Sequence, residues 1–186
     1  VAFYTIEAGM KKPQKLEAEG LWNYAVRTLS GRAHSAGELK AKLRNRAARA
    51  GDIDGVIARL KDVGYLNDRQ FAESFAASRM ENQRLGRLRV LRDLRSRRVA
   101  PALAEQTLDK VYQGTDEAEL VEEYLRRKLR IEAKPLVEEK QIAAAFRRLV
   151  RAGFRRGTVV TVLKRHVRDA EALDAAESAG EERPEE

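Results

Sequence analysis

No cysteine occurs in the 186-residue chain, which excludes disulfides and thiolate metal sites and rules out a disulfide-stapled secreted domain. Aromatic residues are scarce at 6%, while charged residues reach 35%. That balance suits helices with broad solvated faces better than a compact sheet enzyme. No apolar run approaches the roughly 18 residues needed to span a bilayer, and no signal-peptide pattern opens the chain. The expectation is a cytoplasmic protein without a membrane partner. With Val1 rather than methionine at the front, the true start is left open. A Gly-rich phosphate loop is missing, as is any His-x-x-x-His or carboxylate-rich metal pattern. The two histidines, His34 and His166, stand far apart: His34 reads as a loop residue, His166 as an exposed side chain beside basic neighbours. No catalytic residue, cofactor or metal is therefore expected, and the chain reads as a non-enzyme.

What is present is positive charge. The net charge is +8. From Asp169 onward eight acidic residues stand against Arg183 alone, a tail charge of −7, so residues 1–168 carry +8 less −7, or +15. A body this basic seeks a polyanion or an acidic protein surface. The tail, residues 169–186, is rich in Ala and Glu and is expected to be disordered.

Helix signals then partition the body. Residues 1–15 resist assignment and read as a mobile leader. Leu21, Trp22, Ala25, Val26 and Leu29 recur at helical spacing over about Leu16–Ser30, and Gly31 breaks the run. Ser35 and Glu38 form a capping box ahead of Leu39 and Leu43. Gly51-Asp52 ends that segment and caps the next, whose apolar face is Ile53, Val56, Ile57, Leu60 and Val63. Gly64 is a helix stop that can adopt the left-handed conformation without a Cβ penalty. Asn67 with Gln70 reads as the next capping box, and Leu66 with Phe71 as its hydrophobic staple.

The same grammar recurs twice. Phe71, Ala72, Phe75 and Ala76 line one helix; Gly86 opens a second with Leu88, Leu91 and Leu94; Pro101 starts a third with Leu103, Leu108 and Val111; and Gln113-Gly114 closes it. A third round spans Thr115–Ile131, Lys140–Gly153 and Thr158–Val167. The Ala133–Leu136 segment between them is an insertion, with Pro135 interrupting a helix. A shift of 55 residues superposes Leu91 on Phe146, Leu94 on Leu149, Val99 on Phe154 and Leu108 on Leu163, which supports an internal repeat. The expected fold is all-α, an elongated tandem array of three three-helix, helix-turn-helix-like repeats over residues 16–64, 65–114 and 115–168, with limited contact between neighbours.

The run Gly64-Tyr65-Leu66-Asn67-Asp68, with Phe71-Ala72, Phe75, Arg79 and Gly86, resembles the central signature of the RecX family. Val90-Leu91-Arg92, Leu94, Arg97 and Val99 continue the likeness, and Ser35, Glu38-Leu39 and Lys42-Leu43 fit that family's first repeat. Arg98 stands where family members usually carry glycine, so that turn is expected to be shaped differently. The resemblance covers roughly Leu16–Val167. It implies a bacterial regulatory protein, acting in recombination control, DNA repair and the SOS response, that binds and restrains the RecA recombinase. RecX proteins are understood to lodge in the groove of the RecA–single-stranded DNA filament and to oppose its growth, ATP hydrolysis, strand exchange and repressor cleavage.

The arginines suggest where such a partner would be touched. With Leu91 and Leu94 inward, Arg89, Arg92 and Ser96 point outward and Arg95 and Arg97 flank the core. Asp93 lies four residues from both Arg89 and Arg97 and can pair with one of them. In the third repeat Ile142, Ala145, Phe146 and Leu149 face inward. Arg147, Arg148 and Arg151 share the outer side with no carboxylate three or four residues away. Arg155, Arg156, Lys164, Arg165 and Arg168 follow, with no acid between Gln141 and Val167. These eleven side chains (Arg89, Arg92, Arg95 and the eight of the third repeat) are the candidate partner- and DNA-binding set. The plain alternative for each is a solvated helix face.

The outer faces offer little amide for base readout. Trp22, Phe71, Phe75 and Tyr124 all read as core aromatics rather than as a stacking platform among cations. The residues therefore support phosphate contact without sequence reading, to single-stranded and as a further option double-stranded DNA, by a monomer. Two rivals stand beside the RecA-filament reading: a general DNA-binding protein, and a purely protein-binding helical scaffold.

Overall fold

The computed structural model describes residues 15–131, 136–167 and Leu173. Within them the fold is all-α, three three-helix repeats in tandem, with isolated bridges Leu16–Ala47 and Leu136–Val167 as the only extended pairings. In each repeat the apolar residues form one stripe per helix, and the three stripes close on a single small cluster.

In the first repeat α1 (Ala18–Gly31) and α2 (Ala36–Arg44) both pack on α3 (Gly51–Asp62). Leu21, Leu39, Leu43, Leu60 and Leu66 are buried at their centre. The Ser35 hydroxyl accepts from the Glu38 amide at 3.0 Å, the expected N-cap of α2. The start of α3 differs from expectation: its N-cap is Ala50, and Asp52 lies inside the first turn, where its charge suits the helix dipole. Gly64, at φ +76°, stops α3 as expected. His34 is not an ordinary loop residue. It is 4% exposed, and its Nδ1 donates to the Arg32 carbonyl at 2.9 Å.

The second repeat comprises α4 (Asp68–Gln83), α5 (Arg87–Ser96) and α6 (Pro101–Val111) around Ala72, Ala76, Val90, Leu94, Val99 and Leu108. Pro101 occupies the first turn of α6, where a missing amide costs nothing. Leu66 belongs to the first cluster and Phe71 packs on the second. Arg98 takes φ +57°, so the turn keeps the left-handed shape that glycine would give it.

The third repeat was expected to open with one continuous helix, Thr115–Ile131. Instead α7 (Glu117–Tyr124) passes into a π-helical turn, Leu125–Leu129, that ends at Arg130 with φ +55°. α8 (Glu139–Arg151) and α9 (Arg156–Leu163) complete it, on a core of Tyr124, Phe146, Leu149, Phe154 and Leu163. Tyr124 meets Phe154 edge-on at 5.7 Å. All eight residues matched by the 55-residue shift are buried. Leu173, inside the stretch expected to be a disordered tail, is helical and buried in this cluster. The remaining residues of that tail, the leader through residue 14 and the insertion residues 132–135 lie outside the described residues.

The chain divides into two compact units, Val1–Asn67 and Asp68–Glu186. Within the second unit, contact between the second and third repeats is more than the limited kind expected, because it runs through the backbone at one point.

Candidate partner-binding surface

Gly153 ends α8 with φ +92°, and the Phe154 amide reaches back to the Leu149 carbonyl at 3.4 Å. This six-to-one closure leaves the Ala152 and Gly153 carbonyls pointing away from their own helix. They accept from the amides of Gly86, at 2.8 Å, and Leu88, at 3.2 Å. Those amides belong to the N-terminus of α5, where no intrahelical partner exists. One helix's spare acceptors thus satisfy another's spare donors. The approach tolerates no side chain: a Cβ on Gly86 would collide with the Gly153 carbonyl, and one on Gly153 with the Arg89 backbone.

The junction brings together two arginine faces that are 55 residues apart in sequence. Arg92 extends from α5 until its Nη2 lies 3.5 Å from the Arg151 carbonyl. On α8, Ile142, Ala145, Phe146 and Leu149 are buried, while Arg147, Arg148 and Arg151 are exposed, as their spacing predicts. Among the described residues no carboxylate pairs with Arg147 or Arg151. Arg148 donates to the Lys128 carbonyl at 3.5 Å.

The other candidates separate into engaged and open. Arg89 pairs with Asp93 at 3.0 Å, and Asp93 also lies 3.8 Å from Arg79 of α4. Arg95 pairs with Glu105 at 3.3 Å. The other Glu105 oxygen holds Arg87 at 2.9 Å, and Arg87 reaches Asp109 at 2.7 Å. Arg89 and Arg95 therefore serve the second repeat's own ion pairs. Arg155 is exposed, and its backbone amide donates to Glu117 at 3.1 Å. Arg156 is half-buried at the start of α9. Lys164 is exposed without a carboxylate partner among the described residues. Arg165 lies 3.6 Å from Glu122. The second Glu122 oxygen sits 2.7 Å from His166 Nε2, so His166 is held by a hydrogen bond to Glu122 rather than standing freely exposed. Arg168 lies outside the described residues.

Two features escaped the sequence reading. The π-helical turn carries Arg126, Arg127 and Lys128 in succession, and its Lys128 carbonyl receives Arg148, so these cations adjoin the α8 face. The run was visible in sequence, but its place beside α8 follows from tertiary packing. The second feature is that aromatics do meet cations. Arg59 lies 3.9 Å over Trp22, Arg46 lies 5.4 Å over Tyr24, and Arg79 and Arg97 lie 4.9 and 5.7 Å over Phe75. Trp22, Phe71 and Phe75 are only half-buried. They sit at the margins of their apolar stripes, where a long arginine from another turn or helix can fold across the ring.

No group of three or more acidic, histidine or cysteine side chains among the described residues could hold a metal ion. No described helix is long and apolar enough to cross a membrane.

Comparison with known proteins gives a consistent result. Residues 22–60 match the family model described as the first three-helix domain of RecX, and residues 67–108 match its second three-helix domain. The chain is 32% identical over 121 residues to a regulatory protein RecX of Chlorobaculum tepidum, covering 64% of this chain and 73% of that protein. It is 43% identical over 75 residues to the regulatory protein RecX of Photobacterium profundum, covering 40% of this chain and 28% of that one. The crystal structure of RecX from Lactobacillus salivarius superposes with a TM-score of 0.59 at 22% identity, over 85% of this chain and 97% of the other.

Proposed function

The chain belongs to the RecX family of regulatory proteins, and from that premise we propose that it binds the RecA filament assembled on single-stranded DNA and restrains it without catalysing a reaction. In this reading it acts as a monomer in the cytoplasm and opposes filament growth, ATP hydrolysis, strand exchange and repressor cleavage. The observation that carries the reading is the outer face of α8. Arg147 and Arg151 are exposed cations with no carboxylate partner among the described residues, while Arg89 and Arg95 on the corresponding helix of the preceding repeat are paired. Unpaired like charges on one face repel one another, a cost that an external anion offsets. DNA phosphate or an acidic protein surface would supply it.

The test is RecA ATPase activity on single-stranded DNA with this protein added well below RecA stoichiometry, in the presence and absence of excess competitor DNA. Inhibition that persists with competitor supports the filament as target. Inhibition seen only near DNA-saturating amounts, and abolished by competitor, would show simple occlusion of DNA and overturn the proposal.

A further inference from the structure

Tyr65 is the outlier of the first unit. It is 60% exposed, yet its backbone is tightly held. Gly64 turns at φ +76°, the Tyr65 amide donates to the Leu60 carbonyl at 2.9 Å, and the next residue, Leu66, is 3% exposed in the first core. The chain therefore pins Leu66 inward and presents the tyrosine ring outward. That ring rests on Trp22, with centroids 6.4 Å apart and planes 26° from parallel. Trp22 in turn packs on the first core and carries the Arg59 guanidinium 3.9 Å over its ring. Trp22 thus touches both Arg59 and Tyr65, and the tyrosine end is open.

We propose that this assembly is a base-stacking platform for single-stranded DNA, in which the Tyr65 ring takes a nucleobase and Arg59 meets an adjacent phosphate. The proposal rests on reading the chain as a protein that works on single-stranded DNA, and adds a contact in the first unit that the α8 face does not supply. Base stacking needs a flat exposed ring and nearby cations. Residues 15–67 contain ten Lys and Arg against six Asp and Glu, so the unit is electropositive. Among the described residues Arg59's carboxylate partner is Glu19 at 3.5 Å, with both side chains largely exposed, and such a pair yields to a phosphate at little cost. A tyrosine held by fixed backbone loses only two side-chain torsions on binding. A protein anchor would want a pocket or a wide apolar surround. Val63 and Tyr65 are the only exposed large hydrophobics in the described part of this unit, which is too little apolar surface for such an anchor.

Trp22 is the only tryptophan in the chain, so its emission reports directly on the platform. The 186-residue chain is titrated with oligothymidylate, with a same-length abasic strand, and with a same-length duplex, following Trp22 fluorescence and anisotropy of labelled DNA. The expected result is quenching by oligothymidylate and about tenfold weaker binding for Tyr65→Ala. Tyr65→Phe, which keeps the ring, retains wild-type binding, and the abasic strand and duplex bind the wild type no better than oligothymidylate binds Tyr65→Ala. Circular dichroism confirms that both variants remain folded. Equal binding of abasic and thymidylate strands, with no effect of Tyr65→Ala, would overturn the platform. So would a Tyr65→Ala protein that binds oligothymidylate normally but no longer inhibits RecA, since the ring would then serve a protein contact. A failure of the RecA proposal itself would look different: no inhibition by the wild type, with Tyr65-dependent DNA binding intact.

Discussion

The amide of Gly86 donates to the carbonyl of Ala152 over 2.8 Å, joining the start of one repeat's middle helix to the end of the next one's. The two helices meet head to tail, so the partial positive charge of the α5 N-terminus faces the partial negative charge of the α8 C-terminus. This junction sets the spacing between Arg92 and Arg151, and with it the continuity of the basic face.

Replacing either glycine at the junction should separate the second and third repeats. Gly86→Ala and Gly153→Ala each place a methyl group into opposing backbone, and Gly153→Ala adds a positive φ that alanine resists. Each is expected to cost about 3 kcal/mol or more of stability in urea unfolding. A loss below about 0.5 kcal/mol would show that the junction relaxes freely.

Arg98 predicts the opposite sign. Its φ of +57° and the 3.1 Å closure from the Val99 amide to the Leu94 carbonyl reproduce the turn that Gly153 makes in the next repeat. A non-glycine residue bears a left-handed strain there, partly offset by glycine's greater freedom when unfolded. Arg98→Gly is expected to raise stability by roughly 0.5–1 kcal/mol, and an unchanged or lower urea midpoint would contradict the strain.

His34 should make the first unit sensitive to acid. Burial, the largest cause, holds its pKa below the ordinary 6.5; its Nδ1 donates to Arg32, while its Nε2 is buried without a partner. Above 6.5 both folded and unfolded forms are neutral and stability is full. As pH falls from 6.5 toward the lower folded pKa, the unfolded chain binds the proton first and stability drops. Urea unfolding followed by Trp22 emission should therefore show a lower midpoint near about pH 5.5 than near about pH 7.5. His34→Gln should remove that difference, and an equal pH dependence in the variant would assign it elsewhere.

The arginines should divide according to their partners. Reversal of Arg147, Arg148 and Arg151 to glutamate is expected to leave helicity unchanged while reducing RecA inhibition at least about tenfold and flattening the salt dependence of DNA binding. Arg89→Ala and Arg95→Ala break exposed ion pairs and are expected to lower stability by less than about 1 kcal/mol with little effect on inhibition. Full inhibition by the folded triple variant would remove the α8 face from the binding surface.

Much of the fold was legible because its signals are local. Ser35 before α2, Pro101 at the start of α6, Gly114 after α6 and the inward stripe Ile142, Ala145, Phe146 and Leu149 each act within a turn or two of helix. The π-helical turn was not legible, because the Leu125 and Leu129 spacing fits a regular helix equally well. The loop position of His34 was legible, but its burial was not, because burial depends on what packs over a loop and local sequence does not encode that.

The amino-acid sequence by itself determined the helical class, the threefold repetition and the inward and outward faces of α5 and α8, since helical periodicity and end signals are short-range properties. Only the tertiary structure decided which arginines remain open. Asp93, Glu105 and Glu122 reach cations on other turns and helices, and such pairings depend on distances that folding creates. It likewise decided that Tyr65 faces out over Trp22, 43 positions earlier in the chain. A left-handed glycine and a buried leucine on either side of Tyr65 left its ring nowhere else to go.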